Sequence, residues 1–228
     1  KLREGGYAVD FMGAGYDVAE KMGITGALEK VDINLSKLAF VDKNNKEKGS
    51  MNYRKIKKLM NNRALTLLRS DLAKVIYECL NEEVEIIFGD TIDTIEQNKD
   101  KVVVTFRSGK NRSFDLIVGA DGLHSNVRNL VFGSEAQFEK YYGYYTSSFT
   151  IENFYYEGKA FSMCNVPGKQ IAIYSHSNNK TATFFIFTSP EKLKYNHHDV
   201  EKQKQILKDE FMNVGWKCPE ILSKIDSS

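Results

Sequence analysis

The sequence predicts a mixed α/β (α+β) fold in two parts. Residues 1–135 read as an α/β part that includes a small β-meander, and residues 136–228 as an antiparallel β-sheet with a C-terminal helix. Three observations predict this. Residues 114–118 are largely apolar and run through Gly119-Ala120-Asp121-Gly122 into a helical register, the pattern of a strand buried on both faces that feeds a turn and a helix. Leu72, Val75, Ile76 and Cys79 recur at helical spacing behind an apolar run at 66–68. Beyond residue 140, runs rich in Tyr, Thr, Ser and Phe recur about every 10 residues between turn residues, as in an antiparallel sheet.

The bulk numbers agree with a globular chain. It has 228 residues, 42% apolar and 27% charged, enough to bury a real core. A net charge of +2 argues against nucleic acid or a membrane surface as partner. Cys79, Cys164 and Cys218 are odd in number, widely spaced and without a CxxC pair, which argues against a disulfide framework or a zinc site and suits a reducing compartment. The expected location is therefore cytoplasmic, and the expected state monomeric. The chain opens on Lys1 beside an apolar segment and closes soon after a helical pattern, so both ends are expected to be cuts through a longer protein.

In order, residues 5–11 read as a short strand. Gly13-Ala14-Gly15 then opens a helix over 16–22 that stops at Gly23, a left-handed cap. Residues 37–41 and 48–53 read as a hairpin about Asp42, Lys43, Asn44 and Asn45. The basic run Arg54-Lys55-Ile56-Lys57-Lys58 reads as a solvated helix face. Ser70 is the expected N-cap of a helix over 71–80. Residues 84–88, 92–97 and 102–107 read as strands, with turns at Asn98-Lys99-Asp100 and Ser108-Gly109. Ser125 or Asn126 caps the helix that follows Asp121-Gly122. The texture changes near 133–137. Strands follow at 141–151, 160–166, 170–176 and 181–188, then an amphipathic helix over 200–214 and a last helix after Pro219.

Hydrolytic chemistry finds no support. The sequence contains neither G-x-S-x-G nor H-E-x-x-H, and His197-His198 has no carboxylate at ligand spacing, so no catalytic side chain and no metal ligand are assigned. Gly13-Ala14-Gly15 resembles a dinucleotide fingerprint, which keeps an NAD(P)-dependent dehydrogenase as one alternative. The third glycine position, however, is Val18, and no clean strand with an acidic residue follows. Arg69 stands at a helix entrance, where a guanidinium can grip a phosphate or a heteroaromatic carbonyl; the plain alternative is a surface pair with Asp71 or Glu78.

The Leu68-Arg69-Ser70-Asp71-Leu72 core, the meander strands, and Asp115 through Arg128 (DLIVGADGLHSNVR) together resemble the single-component FAD-dependent aromatic hydroxylases, the class A group typified by para-hydroxybenzoate hydroxylase. The opening Gly5-Gly6-Tyr7-Ala8-Val9-Asp10-Phe11, the Gly13-x-Gly15 turn and the helix ending Lys21-Met22-Gly23 are similar to the branch of tetracycline-inactivating monooxygenases. Residues 143–153 and 211–222 fit that branch too. The resemblance implies a partial FAD/NAD(P)-binding Rossmann-like domain followed by a substrate domain. It implies FAD and NADPH as cofactors. It also implies transfer of one atom of O₂, through a flavin hydroperoxide, to an aromatic or polyketide-like small molecule. Carried over by residue, Arg69, Asp10, Gly13, Gly15 and Ile92 would contact FAD. Asp121 and Gly122 would serve FAD and NADPH, with Arg128 bracing them, and His176 and Phe185 would face substrate. The family's opening G-x-G-x-x-G strand and its later G-D motif lie outside this sequence, so weak FAD binding by these residues alone is expected. A non-enzymatic binding module stays open beside the monooxygenase and the dehydrogenase.

Overall fold

The computed structural model describes residues 2, 7–152, 154, 160–176, 180–196 and 198–227, with His176 and Ser227 described by backbone alone. The chain divides into two compact units: 82–142, and 2–81 joined with 143–228.

The larger unit begins with β1 (Ala8–Met12), α1 (Ala14–Lys21) and α2 (Thr25–Lys30). Gly13 precedes α1 at φ +58, a region that favours glycine, and Gly23 at φ +71 ends it by donating its N–H to the Glu20 carbonyl. Arg63 clamps α1 from outside, at 2.6 Å from Asp17 and 2.8 Å from Glu20, with its guanidinium over the Tyr16 ring. The hairpin β2 (Lys37–Val41) and β3 (Glu47–Asn52) turns where the Asp42 carboxylate accepts the N–H groups of Asn44 and Lys46. Asn52 caps α3 (Tyr53–Leu59) by accepting the Lys55 N–H. Then β4 (Ala64–Leu68), buried along its whole length, pairs antiparallel with β1 and leads directly into α4 (Arg69–Glu78).

The smaller unit holds a three-stranded antiparallel meander, β5 (Ile92–Gln97), β6 (Val102–Phe106) and β7 (Asn111–Phe114), one α-helix, α5 (Asn126–Phe132), and a short 3-10 turn at Glu135–Gln137. Ser125 caps α5, accepting the Arg128 N–H at 3.0 Å.

The rest of the larger unit is β8 (Tyr144–Ser147), β9 (Thr150–Glu152), β10 (Ala160–Val166), β11 (Lys169–His176) and β12 (Lys180–Thr188), then α6 (Val200–Phe211) and α7 (Cys218–Leu222). These strands form one seven-stranded sheet in the order β3-β2-β10-β11-β12-β8, with β9 also on β12. All its pairings are antiparallel except β2 with β10, which are parallel and join Lys37–Val41 to Ala160–Cys164. Residues 37–52, read from the sequence as belonging with the N-terminal part, thus complete the later sheet.

Alternation gives this sheet two different faces. Cys164, Ile171, Ile173, Phe185 and Phe187 point one way and are sealed by Leu207 and Phe211 of α6 and by Cys218, Ile221 and Leu222 of α7. Phe211 is fully buried, edge-on to Phe185 at 4.8 Å and 76°. Phe161, Met163, Tyr174 and Phe184 point the other way.

Three expectations need correction. Residues 84–88 form no strand, and Ile86, Ile87 and Phe88 are exposed. Residues 115–118 are likewise not a buried strand: β7 ends at Phe114, and Leu116 and Val118 are 75% and 76% exposed. Apolar composition suits a strand, but a strand also needs a ladder partner for its backbone groups, and neither run finds one among the described residues. Ser70 is not a cap, because Arg69 is already helical and extended Leu68 takes the cap position without a side-chain bond.

Candidate functional site

The larger unit holds a cavity of about 520 Å³ between β1 and the second face of the big sheet. Its wall is mostly apolar. Phe161 and Tyr174 stack at 5.4 Å, Tyr7 and Phe184 meet at 5.8 Å, and Leu35, Leu38 and Met163 fill in. A roomy apolar pocket with a few convergent polar groups is the usual form of a small-molecule site. The polar groups here are Asp10 on β1 and Thr66 opposite it on β4, direct partners in register.

Behind them stands Tyr53. Its hydroxyl donates to Asp10 Oδ1 at 2.7 Å and lies 2.9 Å from Thr66 Oγ1, which in turn is 3.1 Å from the same Asp10 oxygen. Tyr53 and Thr66 are buried, whereas Asp10 is exposed. Burial pushes the Tyr53 phenol up to about 12, so it stays a proton donor at neutral pH. The Thr66 backbone is fixed separately, its N–H donating to Asp32 Oδ1 at 3.0 Å while Asp32 Oδ2 holds Lys57 Nζ at 2.5 Å. The basic run at 54–58 is therefore not all solvated face, since Lys57 is mostly buried against Asp32.

Arg69 and the Gly13 turn lie at opposite ends of the β1–β4 ribbon. The Arg69 N–H donates to the Tyr7 carbonyl beside the start of β1, and Gly13 follows its end. Arg69 is exposed, and its guanidinium has no ion pair among the described residues; Glu78, its expected partner, lies by Lys74 instead. Past Gly13 an apolar hollow of about 370 Å³ is lined by Phe11, Gly15, Val18, Met22, Leu72 and Ile76. A methyl group on Gly15 would sit 3.3 Å from the Phe11 ring. The Gly13-Ala14-Gly15 turn is not the dinucleotide fingerprint of a dehydrogenase. Such a fingerprint needs a parallel βαβ unit, and β1 pairs antiparallel with β4.

In the smaller unit, Asp121 Oδ1 accepts the Ser125 hydroxyl at 2.5 Å and Oδ2 accepts the Val127 N–H at 3.1 Å. These bonds, the Ser125 hydroxyl first, hold the Asp121 carboxyl below the usual carboxylate range. Gly122 follows at φ +88. The Asn126 side chain donates to the Ile92 carbonyl at 2.6 Å, which brings β5 to this turn. Arg128 reaches back to the Leu123 carbonyl at 2.6 Å, so it braces the turn. Gly119 is required by space, for a Cβ there would lie 2.9 Å from Val127 Cγ1.

No family model matches the chain. An uncharacterized protein of Mycobacterium tuberculosis is 34% identical over 236 residues, all of this chain and 61% of that protein. A flavin-dependent monooxygenase of Legionella longbeachae is 29% identical over 232 residues, all of this chain and 58% of that protein. The crystal structure of tetracycline destructase Tet(51) superposes with a TM-score of 0.80 at 26% identity, over 100% of this chain and 58% of that one. Over its whole length the chain is similar to flavin-dependent monooxygenases and shares their fold. It spans about three-fifths of the length of the curated relatives it matches. Klebsiella pneumoniae HpxO, solved with FAD and uric acid, shares the fold with a TM-score of 0.71 at 20% identity.

Within this monooxygenase fold, Asp10, Gly13, Gly15 and Arg69 fall in the larger unit and Ile92, Asp121 and Gly122 in the smaller one. Phe185 does not face the cavity. It is fully buried and stacks on Phe149 at 5.7 Å, and its neighbour Phe184 lines the wall instead. The His176 side chain lies outside the described residues, as does His197. Sequence reasoning missed Tyr53, Thr66 and the wall residues Phe161, Met163, Tyr174 and Phe184. The strand alternation held a signal for the last four, but choosing the face requires the register. Among the described residues no group of His, Cys, Asp and Glu could hold a metal. No described helix is long and apolar enough to cross a membrane.

Proposed function

We propose that the natural protein carrying these residues is an FAD- and NADPH-dependent monooxygenase that hydroxylates a flat aromatic or polyketide-like molecule. The observation that carries this reading is the cavity of about 520 Å³, walled by aromatic and aliphatic side chains with the Asp10 carboxylate on its rim. It suits a flat apolar ligand that presents a few polar edges. Residues 1–135 take the cofactors in this reading, and the sheet after 136 supplies the substrate wall. When bound, FAD supplies the redox chemistry that activates O₂.

The residues present fit such a cofactor. Gly13 leaves open backbone at the end of β1, with no atom within 4 Å of where a Cβ would stand. Exposed Arg69, without an ion pair among the described residues, offers a charged donor fork to a phosphate or a ring carbonyl. In this reading Arg69, Asp10, Gly13, Gly15 and Ile92 hold FAD, and Asp121 and Gly122 serve FAD and NADPH. The apolar wall excludes water around the reacting ring. The partners are a small molecule and O₂, without nucleic acid or membrane, for a cytoplasmic monomer.

The test loads the natural protein with FAD and adds NADPH with tetracycline or with naphthol. The expected result is a bound flavin spectrum, NADPH oxidation that the added substrate accelerates, and one labelled oxygen atom in the product. A protein that takes up no FAD, or one that oxidises NADPH without labelling any product, overturns the proposal.

A further inference from the structure

We infer that Tyr53 and Thr66 are positioning residues that aim the Asp10 carboxylate at an N–H or O–H donor on the edge of a flat ligand in the cavity. The inference rests on the reading just given, which treats the cavity as a ligand site. Among the described residues, Asp10 is the one charged side chain in the wall of that cavity.

Tyr53, Thr66 and Asp10 Oδ1 form a triangle with sides of 2.7, 2.9 and 3.1 Å. Two hydroxyl protons must serve three short contacts, so at most two are hydrogen bonds at any moment. Whichever two form, Asp10 Oδ1 is the only acceptor at the apex that cannot itself donate while ionised. At least one of the two buried hydroxyls therefore always donates to this carboxylate oxygen, with the other held against it, and the carboxylate plane cannot swing freely. Oδ2 makes no hydrogen bond among the described residues, and Asp10 is exposed on the cavity side.

The supporting scaffold is rigid at each corner. Tyr53 is buried at the start of α3, with its N–H given to the Ser36 carbonyl. Thr66 sits mid-strand with its backbone tied to Asp32, and Asp10 pairs with it across the ribbon. A carboxylate held this way in an otherwise apolar wall selects for a ligand that brings a donor. A ligand without one would leave the charge facing apolar surface. Two sources carry such a donor: the imide N–H of a flavin ring, or the hydroxyl of a phenolic or enolic substrate.

The experiment uses two ligand pairs on the natural protein. One pair is FAD and FAD methylated at the imide nitrogen; the other is naphthol and its methyl ether. Affinities are measured by calorimetry for wild type, Asp10→Asn, Tyr53→Phe, Thr66→Val and Thr66→Ser. The wild type is expected to prefer the donor-bearing member of one pair by about tenfold or more, the worth of a hydrogen bond to a charged group. Asp10→Asn should abolish that preference, Tyr53→Phe and Thr66→Val should reduce it several-fold, and Thr66→Ser should retain it. Loss confined to the flavin pair identifies the cofactor as the donor, and loss confined to the naphthol pair identifies the substrate. Equal discrimination in wild type and in a folded Asp10→Asn, checked by its melting curve, overturns the inference. If the wild type binds no FAD, the monooxygenase reading fails on its own, and the naphthol pair still decides the role of Asp10.

Discussion

Gly119→Ala tests whether the Asp121 turn is a close-packed device. An added Cβ would sit 2.9 Å from Val127 Cγ1 and 3.1 Å from Val127 Cβ, whereas carbon atoms in contact prefer 3.5–4.0 Å. Val127 lies in the first turn of α5 and gives its N–H to Asp121, so it cannot retreat without loosening that bond. Overpacking of this kind costs about 1–3 kcal/mol, while replacing glycine recovers about 0.4–1 kcal/mol by restricting the unfolded chain. The net expectation is a loss of between about 0 and about 2.6 kcal/mol, centred on about 1.3 kcal/mol, from those two ranges. Val127→Ala removes Cγ1 but keeps the Cβ contact, so it should rescue most of the strain and not all of it. In a double-mutant cycle read by urea denaturation, the pair should be less destabilised than the sum by about 1 kcal/mol. Additivity within about 0.5 kcal/mol would refute the packing argument.

Phe211→Ala should cost about 3–5 kcal/mol in denaturant melts, because a fully buried ring that meets both Phe185 and Phe187 leaves a cavity. The Asp121 carboxyl is held lower in the folded chain than in the unfolded one. Its contribution is therefore present above about pH 4, the unfolded value, and is lost as pH falls through the folded value. Ser125→Ala should shrink that acid-dependent part, measured as the pH dependence of the melting of residues 82–142. Among the thiols, exposed Cys79 should react with a colorimetric disulfide reagent in the native protein. Cys218, which burial pushes up to about 12, and Cys164, also raised by burial, should react only on unfolding.

Local chemistry was the legible part of this chain. Gly23, the Asp42–Asn45 turn and Ser125 act as the sequence suggests, because each satisfies backbone groups within a few residues. The late strands were legible from their alternation and spacing. What local pattern does not contain is pairing. Residues 84–88 and 115–118 have strand composition without a strand's neighbours, and the parallel join of β2 to β10 links segments with no shared signal. The same limit applies to the site. Asp10 and Thr66 stand directly opposite each other, and Tyr53 arrives from a helix that nothing in its own neighbourhood connects to them. Phe185 and Phe184 are adjacent, and only the register decides which one a ligand could touch.

The parallel β2–β10 pairing has a consequence for synthesis on the ribosome. The β2–β3 hairpin leaves the exit tunnel with one backbone edge unmet, and its partner is separated from it by residues 53–159. At translation rates of roughly 5–20 residues per second that interval lasts about 5–20 s. Throughout it the edge of β2 is open to any other nascent strand. Charge guards the outer strand during the wait: β3 carries Glu47 and Lys48, and no residue in it is buried. No such guard lies along Leu38–Ala39–Phe40–Val41 itself. Synonymous codons that slow elongation between 53 and 159 should therefore lower soluble yield more than the same codons placed after 188.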